Sequence, residues 1–232
     1  MTSFRRVRCL VVWLVAICAT LAVTSCSDFE NEPHQTPTST KAAEKYDLSR
    51  LAELEDDVPP DFVPWNSKVL KLQQVWVAGV GSVVSSGKPY TVDPPQCSVL
   101  LKPVDGVAGA DTIGIRADGP EKRSIAVGAD MPVTVPAEIP ATGCDRMSYK
   151  VPDDDYPRTG TAERIPPPTI DGASTFALKI TTDGFPDPEY FYAAILDDHV
   201  YVDVEARLAP DFATQPLLPD LLVKAVAAIR GN

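Results

Sequence analysis

The sequence predicts an α+β domain, an antiparallel sheet of about six strands with helices packed on one face and one disulfide. Three observations carry this. The C-terminal half alternates apolar and polar residues with period two, as strands with one buried face do. Short amphipathic segments with start signals bracket that region. Of five cysteines, two remain to pair with each other once the N-terminal ones are assigned.

Asp47 is placed to cap a short helix whose Leu48, Leu51 and Leu54 share one side. Residues 68–86 fit two patterns. Val69, Leu72, Trp76 and Val80 have helical spacing, whereas Leu70, Leu72, Trp76 and Ala78 fit a strand interrupted at Gln74; the helix is preferred. Asp93-Pro94 starts a helix carrying Cys97, Leu100 and Leu101, because proline is tolerated at the first helical position. Residues 112–117 and 123–127 flank Ala117-Asp118-Gly119-Pro120 and predict a hairpin. Residues 146–151 alternate, with Met147, Tyr149 and Val151 on one side. A three-strand meander follows. Phe176, Leu178 and Ile180 mark its first strand, the aromatic run 189–196 its second, and Val200, Val202, Val204, Ala206 and Leu208 its third. Tyr201, Asp203, Glu205 and Arg207 fall on the face of that third strand expected to be wet. Leu218, Leu221, Leu222, Ala225 and Ile229 form the apolar stripe of a closing helix, with Gly231 just beyond it.

The N-terminus predicts location. Arg5, Arg6 and Arg8 precede an apolar run from Cys9 to Val23 that is shorter than the roughly 18–20 residues needed to span a bilayer. This is a secretory signal over residues 1–25, routed through the general secretory pathway. Val23-Thr24-Ser25-Cys26 resembles a bacterial lipobox, in which the cysteine thiol receives a diacylglycerol and becomes the new N-terminus. Cys26 is therefore the expected lipidation site, and the outer face of the cell membrane the expected location. Residues 26–46 read as the lipidated cysteine and a polar tether, and residues 47–232 as a single domain. Thr36 to Thr40 could carry O-linked sugar or be a bare spacer. The 23 prolines, about twice the usual share, lie mostly in connecting segments.

Cleavage before Cys26 leaves 18 basic against 32 acidic residues, moving the net charge from −11 to −14. So acidic a surface is repelled by phosphate backbones, which argues against nucleic acid as a partner. Cys9 and Cys18 leave with the signal, so Cys97 and Cys144 are expected to form a disulfide worth about 3–4.7 kcal/mol. The alternative is two buried free thiols.

Motifs for catalysis are missing. His34 and His199 lack metal-ligand spacing to a second His or Cys, and there is no Gly-x-Ser-x-Gly and no phosphate loop. Asp153-Asp154-Asp155 reads as a solvated loop, and Asp183, Asp187 and Glu189 as a turn and not a calcium site. No cofactor or metal is expected. Tyr190, Tyr192 and Tyr201, on adjacent strands, could line a ligand cleft or be ordinary core.

The segments DLSRLAELEDDVPPDF, SSGKPYTVDPPQCSVLLKPVDG, IPATGCDRMSY and YFYAAILDDHVYVDVEARLAPDF resemble a family of mycobacterial lipoproteins of unknown function over about residues 47–232. More loosely, the plan is similar to the extracellular sensor domains of certain mycobacterial serine/threonine kinases. That resemblance implies ligand binding in a cleft; it implies no catalytic residues. The expectation is a lipid-anchored, non-enzymatic, sensor-like domain that binds a small apolar ligand or an envelope protein. An envelope scaffold contacting a membrane or transporter partner is the alternative, and a hydrolase-like activity ranks last.

Overall fold

Ten strands join one antiparallel sheet in the computed structural model, which describes residues 45–65, 68–152 and 156–231. The signal 1–25, the lipobox with Cys26, His34, the Thr36 to Thr40 stretch and Asp153-Asp154-Asp155 lie outside the described residues. In chain order the strands are β1 (Val63–Trp65), β2 (Leu70–Lys71), β3 (Thr91–Asp93), β4 (Asp105–Asp118), β5 (Ser124–Thr134), β6 (Arg146–Val151), β7 (Arg158–Arg164), β8 (Ala173–Thr182), β9 (Glu189–Leu196) and β10 (Val200–Arg207). Their order across the sheet is β1-β4-β5-β10-β9-β8-β7-β6-β3, with β2 also on β4. Ten strands replace the expected six. The hairpin and the meander stand where the alternation places them, and the additions are short or small-residue strands. β7 buries only Gly160 and Ala162, so it carries no apolar stripe. β1 and β2 exist because β4, at 14 residues, is long enough to pair with both.

Among the described residues the helices are few: α1 (Ser98–Leu101), α2 (Leu217–Arg230) and four 3-10 segments. The first 3-10 segment, Leu48–Asp57, is capped by Asp47, whose carboxylate accepts from the Ser49 amide at 3.0 Å. Leu48, Leu51 and Leu54 recur every third residue, which suits three residues per turn. α2 ends at Gly231, whose φ of 79° is the left-handed conformation that glycine adopts freely. Residues 68–86 form no α-helix. They run through β2, a 3-10 turn at Gln74–Gly79, and further turns. Gly81 explains part of this. Its φ is +67°, and a β-carbon there would lie 2.7 Å from Val104 Cγ2.

Both faces of the sheet are covered, not one. On the first, α2 and the Leu48–Asp57 segment pack on Ile113, Ile115, Ile125, Val127, Val202 and Val204. On the second, the chain from Leu72 to Val104, including α1, packs on Phe176, Leu178, Ile180, Phe191 and Ile195. Cys97 and Cys144 form the expected disulfide, with Cα atoms 5.6 Å apart. It fastens this second layer beside β3 and β6, at the sheet edge opposite β1.

Candidate functional site

Strand register builds the site on the second face. Because side chains alternate, Tyr201, Asp203, Glu205 and Arg207 of β10 all point to this face. Each heads a cross-strand row. Tyr201 lies opposite Asp130, Asp203 opposite Gly128, and Glu205 between Ala126 and Phe191. The covering layer closes over the Tyr201 end and stops short of Arg207. Tyr201 is buried, Asp203 half-buried, and Glu205 and Arg207 reach water.

Where the cover stops, a cleft of about 330 Å³ opens. Glu205, Arg207, Ala126 and Phe191 form its floor, Arg116 and Arg158 line it, and the 82–86 loop stands at one side. That loop is held by the Ser82–Ser85 hydroxyl contact at 2.8 Å and by the Gly87 amide donating to Ser82 Oγ at 2.9 Å. Arg207 pairs with Glu189 on β9, and Arg116 with Asp118 at 2.9 Å.

The carboxyl groups along β10 hold their protons unusually well. Burial pushes Glu205 up to about 7; Glu189 adds to the rise and Arg116 opposes it. Its exposure is to water inside the cleft, with protein on most other sides. Asp203 is raised well above the usual carboxylate range by burial, then by Glu205 and Asp130. Burial raises Asp130 too, against a Thr112 hydrogen bond and the Lys102 charge. Asp130 Oδ1 and Tyr201 Oη are buried without a hydrogen-bond partner. Asp203 has room because two glycines lie beside it. Its Oδ1 is 2.9 Å from where a Gly128 β-carbon would be, and Gly114 is the next residue in the row. Protonated carboxyls on a cleft floor donate hydrogen bonds and exchange protons near neutral pH.

The three tyrosines do not share a pocket. Tyr192 is buried under α2 on the first face, its hydroxyl accepting from Gln215 Nε2 at 2.9 Å, while Tyr201 is buried in the second layer. Tyr190 packs against the first-face core and borders the cleft. His199 sits in the β9–β10 turn, its Nδ1 2.8 Å from the Asp197 carbonyl. Asp183 accepts from Thr159 Oγ1 at 2.5 Å and Glu189 pairs with Arg207. Among the described residues no group of three His, Cys, Asp or Glu is arranged to hold a metal. Sequence reasoning missed Glu205, Arg116 and Arg158. The available signal was Asp203 and Glu205 on a strand between two hairpins, where a central strand is covered on both faces.

A family model described as a domain of unknown function (DUF5642) matches residues 47–230, the whole sheet and both of its layers. The chain belongs to the DUF5642 family. A solved structure similar to this DUF5642 domain is that of an uncharacterized protein from Mycobacterium smegmatis, the Rv0999 ortholog. The two are 21% identical over 80% of this chain and 98% of that one, with a TM-score of 0.58, a likeness of fold. No curated protein matches the chain significantly.

Proposed function

We propose that this DUF5642 protein is a lipid-anchored, non-enzymatic binding domain of the cell envelope, whose site is the Glu205 cleft. The anchoring reading rests on Val23-Thr24-Ser25-Cys26 at the end of the apolar run. The binding reading rests on one observation: an open cleft of a size that suits a small ligand, floored by a carboxyl that titrates near 7 and flanked by Arg116 and Arg158. Arginines and a protonated carboxyl are all donors, so the cleft suits a polar ligand rich in hydrogen-bond acceptors. That differs from the apolar ligand the tyrosines suggested.

The test is native mass spectrometry of the protein purified from its own membrane. A co-purifying small molecule that is lost in Ala126→Phe, which fills the cleft floor, supports the reading. An unliganded protein, or an adduct that Ala126→Phe retains, defeats it. Incorporation of labelled fatty acid, abolished by Cys26→Ala, tests the anchor separately.

A second reading has its own observation. Glu205 near neutral pH is also what a general acid or base requires. A bound molecule recovered chemically altered, and unaltered from Glu205→Gln, would favour an enzyme.

A further inference from the structure

Exposed apolar side chains concentrate at one edge of the sheet. Among the described residues nine large hydrophobics are exposed, and six of them lie between positions 63 and 76: Val63, Trp65, Val69, Leu70, Val75 and Trp76. Scattered single residues of this type are ordinary; a cluster marks a contact surface. Register puts three of them in line. Val63, Trp65 and Leu70 pair with Asp118, Arg116 and Thr112, alternate residues of β4 that share one face. Leu72 then pairs with Ala110, and the next turn presents Val75 and Trp76, 76% and 65% exposed.

The way the chain reaches the fold singles out what covers this surface. The first described residues arrive at the same edge. Tyr46 and Asp47 share a surface depression with Val69 and Asp111, and Asp111 is the partner of Lys71 in β2. Tyr46 is fixed there by its hydroxyl, which donates to Asp197 at 2.7 Å, and Asp47 by its amide, which donates to the Ile229 carbonyl at 2.8 Å. The described chain therefore begins on the first face beside Val69, at the β2 end of the apolar edge whose Val63, Trp65 and Leu70 lie on the second face.

We propose that this edge docks on the bilayer, with Trp65 and Trp76 in the headgroup region. The proposal rests on the anchoring reading and adds an orientation to it. Indole rings favour the membrane–water interface, where one end is apolar and the other wet. Lys68 is exposed within the same stretch and suits a snorkelling arrangement, while Lys71 pairs with Asp111 at 2.6 Å. Nineteen residue steps separate Cys26 from Lys45, a reach of at most about 65 Å, so an anchored Cys26 keeps the edge near the surface at high effective concentration. Weak contacts then suffice. The acidic balance of the chain from Cys26 onward, −14 from 18 basic and 32 acidic residues, selects uncharged headgroups over anionic ones. Strands of three and two residues are too short to recruit another sheet by strand addition, which favours lipid over a protein strand.

The chain from Cys26 onward retains every described residue and has two tryptophans, Trp65 and Trp76, because Trp13 lies upstream. Cys97 and Cys144 are bonded to each other, so the Cys26 thiol can be coupled to a maleimide lipid in phosphatidylcholine vesicles. The coupling is chemical, so failure of natural lipidation leaves this measurement untouched. Tryptophan emission should shift to the blue and fall about twofold or more when the vesicle acyl chains carry bromine. Leu70→Asp with Val75→Asp, both at exposed positions, should abolish the quenching with an unchanged melting temperature. Vesicle-coupled protein whose emission ignores the bromine overturns the proposal and leaves the edge to a protein partner. Quenching that survives the double substitution overturns it as well.

Discussion

Glu205 holds its proton to about 7, whereas a free glutamate loses it near 4.5. Between those values the folded protein binds more protons than the unfolded chain, so stability falls as pH rises through that window. The penalty is absent below the lower value and complete above the upper one. Asp203 and Asp130, also raised, act in the same sense. Glu205→Gln should therefore be more stable than the parent at pH 8, by about 1 kcal/mol once the water in the cleft is allowed for, and indistinguishable at pH 4. Urea midpoints at the two pH values measure this, and a variant less stable at pH 8 would contradict it. Asp197 works in the opposite direction. Lys45, then Tyr46, hold it below the usual range, so its contribution is lost on acidification. Gly160 offers a steric test. A β-carbon there would lie 2.2 Å from the Thr181 carbonyl oxygen and 2.8 Å from Tyr149 Oη. Gly160→Ala should cost at least about 2 kcal/mol, read as a lower denaturant midpoint, because the first contact is with backbone that cannot yield.

At the scale of elements, α2 and the disulfide hold one layer each. Leu221 and Leu222 are buried under α2 against the first face, and either leucine changed to alanine should cost about 2–5 kcal/mol in chemical denaturation. The Cys97–Cys144 link closes 47 residues of sequence separation, worth about 4 kcal/mol by chain entropy. Cys97→Ser with Cys144→Ser should lower stability by that order and loosen the second layer first. Hydrogen exchange would show this as faster exchange in 72–104 than under α2. Strands were legible in the sequence where burial imposes period two, as in β6 and β10, and where an unbroken apolar run stands between turn residues, as in β9. β7 was not, since its buried residues are glycine and alanine. The 68–86 stretch misled because its apolar residues have two destinations: Leu72, Val80 and Val84 turn inward, and Leu70, Val75 and Trp76 face outward. A single amphipathic period cannot describe both. The cleft escaped notice for a related reason. Asp203 and Glu205 look like the wet side of a two-layer domain, and only the second layer, assembled from loops with no period, makes them the floor of a site.

At the scale of the whole domain, the described residues form a sheet between two unlike covers, one regular and continuous, the other irregular and incomplete. The incomplete cover leaves the cleft, and the β1–β2 edge runs close to it. Trp65 and Arg116 are register partners, so the apolar edge and the cleft rim meet at one residue pair. A ligand held through the protonated Glu205 should bind more weakly above pH 7, by up to about tenfold per pH unit. Calorimetric titration of whatever molecule native mass spectrometry identifies would measure that slope, and binding that strengthens with pH would exclude the protonated carboxyl as a donor.

Covering both faces has a consequence for the chain before it folds. In β9 the six residues from Phe191 to Leu196 are all buried, a run of two aromatics, two alanines, an isoleucine and a leucine without a charge. Such a run, exposed on a nascent chain, can stack with copies of itself into cross-β aggregates. Its neighbours oppose this. Asp187, Pro188 and Glu189 stand before it, and Asp197 and Asp198 follow at once, both at positive φ in the turn to β10. These residues act as gatekeepers, and neutralising Asp197 and Asp198 should cost soluble yield in excess of its cost in stability.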